Sequence, residues 1–347
     1  MTAGEKPLMA VEATEAPDVV RRMLASNHAD LARLGESLRR HPPSLVLTVA
    51  RGSSDHATLF GKYLIEQNLR LPVSSMAPSV VSVAGAPMRD LRTALVIAVS
   101  QSGRSPDIIA TVKAAVDAGA QVVAIVNDAA SPLAEAASLV IPLHAGPEKS
   151  VAATKSCIAS LAALADLVRH WSQDAELETA LSHLPDRLAA AARLDWSPMA
   201  RAFEKAQNLF VVSRGAGFGV AQEMALKLKE TCALHAEAFS AAEVEHGPAA
   251  IVRDGLPVLM LAPPDQAGPE VIALAKRFAA RGASVLCAGL ETSEGGVTAL
   301  PVPAGLDGSL APIAWLPSFY AAVVNLSLAR GLDPDRPPYL NKVTKTV

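Results

Sequence analysis

Aromatic residues are scarce in this 347-residue chain: seven Phe, three Tyr and three Trp make up 4% of it, although half of all residues are apolar. The apolar half is therefore largely Ala, Val and Leu, the composition of buried parallel strands covered by Ala-rich helices. A basic excess is also missing. Thirty-one Lys and Arg against 34 Asp and Glu give a net charge of −3, which argues against the basic face of a nucleic-acid binder and means that any anionic substrate must be attracted locally. The three cysteines, Cys157, Cys232 and Cys287, are far apart and each lies in an apolar or helical stretch. That distribution suggests neither a disulfide framework nor zinc-ligand spacing, so no metal or other cofactor is expected. No charged-then-apolar leader opens the sequence, and no run approaches the roughly 18 apolar residues of a membrane span. The expectation is a cytoplasmic protein with no membrane partner.

What the chain does have is a repeat. LVLTVARGSS around Leu45 is answered by LFVVSRGAGF around Leu209, aligning Arg51-Gly52 with Arg214-Gly215. DAGAQVVAIV at Asp117 is answered by ARGASVLCAG, aligning Gly119 with Gly282 at the same offset of 163 residues. In this register Ser53 and Ser54 fall on Ala216 and Gly217, and Ser100-Gln101-Ser102-Gly103 falls on Pro263-Pro264-Asp265-Gln266. The duplication implies two halves of one ancestry, of which only the first kept hydroxyl side chains suited to an anion.

Each half alternates strand and helix. Residues 1–17 read as a polar arm ending at Pro17, followed by a helix up to the His41-Pro42-Pro43 break. LVLTVA (45–50) reads as a buried strand, RGSSD as a tight connection and HATLFGKYLIEQN as a helix. ALVIAVS (94–100), the loop QSGRS and a helix opened by Pro106 repeat the unit. QVVAIVND, SPLAEAA and SLVIPL continue it, residues 172–200 form a helical connector, and a helix around SFYAAVVNLSLARG closes the second half. This pattern predicts an α/β chain of two tandem doubly wound α/β/α domains with mainly parallel sheets, binding ligands at the carboxyl ends of the strands. The domain plan is an N-terminal arm and helix start (1–30), a phosphate-binding domain (31–175), a second domain (190–330) and a proline-stiffened tail (331–347).

Candidate chemistry sits in four places. SQSGRSPD leaves a strand and enters a helix, so Ser100, Gln101, Ser102 and Ser105, with Gly103 permitting close backbone approach, could cradle a phosphate on hydroxyls and amide dipoles. The plainer alternative is that Ser105 only caps the helix. The parallel loop with Ser53 and Ser54 favours the cradle. In the second half Lys227 and Glu230 share a helix face, a spacing that equally fits a surface ion pair. His246, in HGP after Glu237, Glu243 and Glu245, has a carboxylate-rich neighbourhood suited to an acid/base. Val151-Ala152-Ala153 are small enough for backbone contact with a sugar, while Thr154 and Lys155 would open the helix that follows. Lys342 and Lys345 in the tail read, without other information, as solvated charges.

Taken in order, SQSG, the ATK stretch, LKLKE, HAEAF, EHGP and the lysine-bearing tail resemble the sugar isomerase (SIS) family, whose fold is flavodoxin-like, over nearly the whole chain. Within it the likeness is to the isomerase half of glucosamine-6-phosphate synthase and to stand-alone glucosamine-6-phosphate deaminases. The resemblance implies that Ser53, Ser54, Ser100, Gln101, Ser102 and Ser105 bind a 6-phosphate and that Val151, Ala152 and Thr154 line the sugar. It further implies that Glu230 moves a proton between C1 and C2, that Lys227 sits near the developing oxyanion, and that Lys342 can form a Schiff base with the ketose. His246 would open the ring from the neighbouring subunit of a homodimer. Two departures stand out. Residues 1–30 hold no cysteine and no room for a glutaminase domain, and SGRS replaces the synthase pattern SGET, so Arg104 adds a positive charge. The expected activity is conversion of glucosamine 6-phosphate and water to fructose 6-phosphate and ammonia. The alternatives are a related amino-sugar phosphate isomerase or deaminase, a fructosamine 6-phosphate deglycase, and a non-catalytic sugar-phosphate sensor.

Overall fold

The computed structural model describes residues 6–305, 308–342 and 344. Its described residues divide into two compact units, one of residues 6–17, 149–154 and 183–340, the other of residues 18–148 and 155–182 with the end of the tail. The N-terminal stretch expected to be an arm holds a helix, α1 (Leu8–Thr14), with Met9 and Ala13 buried. A seven-residue helix is not stable by itself, and tertiary packing of that apolar pair, not detectable as a long periodic run, is what forms it. The second helix, α2 (Ala16–Arg40), begins one residue before Pro17, which the sequence reading places ahead of the helix, and ends beside the His-Pro-Pro break.

In the unit that contains α2, the apolar runs become parallel strands in alternation with helices: β1 (Leu45–Val49), α3 (Ser53–Leu69), β2 (Val73–Ser75), α4 (Pro78–Ser82), β3 (Ala94–Ser100), α5 (Pro106–Asp117), β4 (Gln121–Val126), α6 (Pro132–Ala136), β5 (Leu139–Pro142) and α7 (Lys155–Ser172). The sheet order is β2-β1-β3-β4-β5, all parallel. The first six residues of β3 are all buried, as a strand covered by helices on both faces requires. Only three residues of β2 pair, two of them exposed, a short edge that resists further strand addition. Helix α7 packs on α3 closely enough that a Cβ on Gly61 would come within 3.2 Å of Leu164.

The second unit repeats the plan after α8 (Ala175–Ala191) and α9 (Ser197–Phe203): β6 (Asn208–Ser213), α10 (Gly217–Cys232), β7 (His235–Ser240), β8 (Pro257–Leu261), α11 (Gly268–Ala280), β9 (Ser284–Ala288), β10 (Val297–Leu300) and α12 (Ala311–Ala329). Its sheet order, β7-β6-β8-β9-β10, is that of the first sheet element for element. The duplication read from the sequence is thus a duplication of topology. In each sheet the chain reverses its direction of winding between the first strand and its inner neighbour, β1 and β3 or β6 and β8. That is the switch point at which open α/β sheets leave a crevice beyond their strand ends.

One expectation needs correction. The segment Gly308–Ala329 is long and apolar enough, by length and composition, to cross a bilayer. Its most apolar window is 83% buried within the protein, with Trp315, Phe319 and Tyr320 almost fully enclosed, which is how a core helix behaves. All three cysteines are buried thiols.

Candidate active site

The loops after β1 and β3 flank the first switch point, because those strands are parallel neighbours. The connection after β1 is shorter than the sequence suggests. Gly52, at φ 54°, turns the chain so sharply that α3 begins at Ser53, so Ser53 and Ser54 stand in the first helical turn and not in a loop. Arg51 reaches across to α5, its Nε 3.1 Å and a terminal nitrogen 2.9 Å from Asp107 Oδ2. Asp107 is buried, so this pair ties the two loops together from below.

The loop after β3 is braced from within. Ser100 Oγ accepts the Gly103 N–H at 3.0 Å and Ser102 Oγ accepts the Arg104 N–H at 3.3 Å. Each hydroxyl therefore keeps its own O–H to donate elsewhere. Ser105 occupies the cap position of α5, but its hydroxyl makes no capping bond, so capping does not account for that side chain. Gly103 has φ 63°, and a Cβ there would lie 2.1 Å from Ser131 Oγ; only glycine lets the loop lie against the cap of α6. Gln101 is half-buried in the same loop. Arg104 does not add a free charge: it pairs with Asp128 at 2.8 Å, and its hydrogen bond holds the Asp128 carboxyl below the usual range.

In the same unit Lys342 is not the solvated charge that its place in a tail suggests. Its Nζ lies 2.9 Å from Glu148 Oε2, and Glu148 also accepts the Ser156 O–H at 2.6 Å and the Ser156 N–H at 3.1 Å. The carboxylate side chain is fully enclosed. Lys345 lies outside the described residues.

In the other unit, Lys227 and Glu230 meet as their spacing predicts, Nζ to Oε2 at 2.6 Å. The surface-pair alternative does not hold: the Lys227 side chain is 1% exposed. It is flanked on its other side by Glu223 at 3.4 Å, equally buried, which in turn accepts the Tyr320 O–H at 3.1 Å. Glu230 is 21% exposed, and its second oxygen accepts no hydrogen bond from any described residue. A carboxylate with one oxygen fixed by a buried ammonium and the other open is poised to take a proton from a bound molecule. The segment with Val151, Ala152 and Thr154 belongs to this unit as well, Ala152 and Thr154 being buried.

His246 ends a short 3₁₀ turn, Glu243–His246, beyond β7, and Gly247 at φ 144° closes it. The histidine is exposed and makes no hydrogen bond to Lys227 or Glu230. Of the carboxylates expected around it, Glu245 is engaged by Arg277 at 2.9 Å. Sequence reading missed Glu223, Glu148 and Tyr320. Glu223 lies one turn before Lys227 in EMALKLKE, so its i, i+4 spacing carried a usable signal. Glu148 and Tyr320 are joined to their partners only through the fold.

Known proteins share the sequence and the fold. A solved structure of a candidate phosphosugar isomerase from Silicibacter pomeroyi DSS-3 is 44% identical, covers 95% of this chain and 100% of its own, and superposes with a TM-score of 0.89. The glutamine–fructose-6-phosphate aminotransferase (isomerizing) of Thermococcus kodakarensis is 31% identical over 98% of this chain, which spans 58% of that relative's length. The C-terminal domain of the corresponding Francisella tularensis enzyme, at 24% identity, covers 97% of this chain and all of its own with a TM-score of 0.86, a likeness of fold. The sequence profile of the SIS domain matches residues 43–168 and 202–289, one stretch in each half of the duplication, and the chain belongs to the SIS domain family.

Proposed function

We propose that this protein is an amino-sugar phosphate isomerase that deaminates glucosamine 6-phosphate to fructose 6-phosphate, with water entering and ammonia leaving. The observation that carries the reading is Glu230, oriented by a buried lysine through one oxygen and open at the other. Only the acyclic sugar has an acidic hydrogen at C2, so His246 first moves the ring-opening proton. Its exposure on a turn suits supply to a second copy of the chain in a homodimer. Glu230 then takes the C2 hydrogen, Lys227 offsets the negative charge that develops on the C1 oxygen, and that oxygen gains a proton to give the enolamine. Return of the proton at C1 gives the C2 ketimine. Lys342, held by Glu148, adds to that carbon and ammonia departs, leaving a Schiff base that water hydrolyses to the ketose and the free lysine amine. The 6-phosphate dianion is held by the hydroxyls of Ser53, Ser54, Ser100, Ser102 and Ser105, with Gln101 and the first amides of α3 and α5, while Val151, Ala152 and Thr154 line the carbon chain.

The test is incubation of the purified protein with glucosamine 6-phosphate, with and without glutamine, assaying ammonia and fructose 6-phosphate. Equal, stoichiometric release of both without glutamine is expected. Turnover of another amino-sugar phosphate in its place, or binding with no turnover, would contradict the reading.

A further inference from the structure

Two buried carboxylates outside the chemistry hold the sugar-lining segment in place. Asp335, in the tail, accepts the first two amides of α1, Leu8 N–H and Met9 N–H, each at 2.7 Å. From α1, Glu12 reaches back and accepts the amides of Lys149 and Ser150, the latter at 3.2 Å. The main-chain carbonyl of Asp335 accepts the Val151 N–H at 3.2 Å. The three links close a ring: tail to helix, helix to residues 149–150, residue 151 to tail. Glu12 is 5% exposed and Asp335 9%. Burying a carboxylate is costly unless hydrogen bonds replace its water, so both sites are built around the amides they receive.

The segment so fixed runs directly into Val151, Ala152 and Thr154, and it contains no helix or strand of its own. Its backbone amides therefore have no ladder to fix them, and the carboxylates take that part.

We propose that Glu12 and Asp335 are positioning residues for catalysis, a clasp through which helix α1 sets the backbone of the sugar-lining segment. This rests on the reading that Val151, Ala152 and Thr154 face the sugar. The variants Glu12→Gln and Asp335→Asn keep shape and remove one acceptor each. Amide hydrogen exchange of the whole protein reads the clasp without any substrate: exchange at residues 149–151 is expected to rise at least about tenfold in both variants, with both sheets unchanged. In turnover of glucosamine 6-phosphate, KM is expected to rise about tenfold, while the inhibition constant of inorganic phosphate, which needs only the serine loops, stays within twofold. Unchanged exchange at 149–151 overturns the proposal. So does a rise spread evenly over both sheets with phosphate inhibition equally weakened, which would make the contacts a staple of the fold. If the wild-type protein does not turn over glucosamine 6-phosphate, the proposed function fails, and the exchange measurement still decides the clasp.

Discussion

Replacing Lys227 with Met removes one positive charge from between two carboxylates while nearly keeping the volume. Glu223, 3.4 Å away and 1% exposed, then keeps only its hydrogen bond from Tyr320 among the contacts described above. At an effective dielectric of about 20 the lost attraction at that distance is on the order of 5 kcal/mol, and removal of one partner from a buried pair costs about 3–5 kcal/mol in practice. Glu230 is partly exposed and contributes less. For a unit of this size that loss corresponds to a fall in Tm on the order of 10 °C. The deficit depends on pH with a definite sign. A buried carboxylate that has lost its ammonium partner has its folded-state pKa raised above its unfolded value, so the variant regains stability as pH falls and Glu223 takes up a proton, and loses it as pH rises. Thermal melts of wild type and variant at pH 5 and pH 8 should therefore show the larger gap at pH 8. A variant within about 2 °C of wild type at pH 8, or a gap that ignores pH, would refute the compensation argued for Lys227.

Ser102→Ala removes one donor to a charged ligand, worth about 1.5–3 kcal/mol; steady-state kinetics should show KM raised at least about tenfold with kcat little changed, and an unchanged KM would count against the cradle. His170 is held neutral, its pKa pushed down to about 4, chiefly by burial and then by the charges of Arg169, His28 and Arg39. Because the folded value lies below the unfolded one, its contribution is present above about pH 6.5 and is lost as pH falls toward 4. Urea melts across that window should show a flatter decline in His170→Gln than in wild type, and parallel declines would contradict the assignment. Burial pushes the thiols of Cys232 and Cys287 up to about 11 and about 12, so iodoacetamide at pH 8 should modify neither in the native protein and both in denaturant; labelling of either in the native state would show that it is not enclosed.

The sequence carried the fold well because its signals were local and repeated. Buried strands such as ALVIAVS, the Gly103 and Pro106 punctuation and the matched offsets of Arg51 and Gly119 each imply a unit that the parallel topology then reproduces. The Lys227–Glu230 contact followed from helix periodicity alone. Four things were hidden for identifiable reasons. Helix α1 is too short to show a period, and it is held by Asp335, more than three hundred residues away in sequence. The start of α3 at Ser53 depends on the positive φ of Gly52, where the hydroxyl-rich RGSSD suggests a loop. The partner of Lys342, Glu148, has no spacing relation to it, and the pairing of Arg104 with Asp128 likewise spans separate strands' connections. Long-range charge pairing is decided by which loop ends the sheet order brings together, and nothing in the local sequence encodes it.

The most direct test concerns Glu230 as the base. In Glu230→Gln, with glucosamine 6-phosphate as substrate, kcat for ammonia release should fall by on the order of 10²- to 10⁴-fold, while inorganic phosphate still inhibits with its wild-type constant. Retention of most of the wild-type kcat by this variant would contradict the assignment of proton transfer to the second half of the duplication.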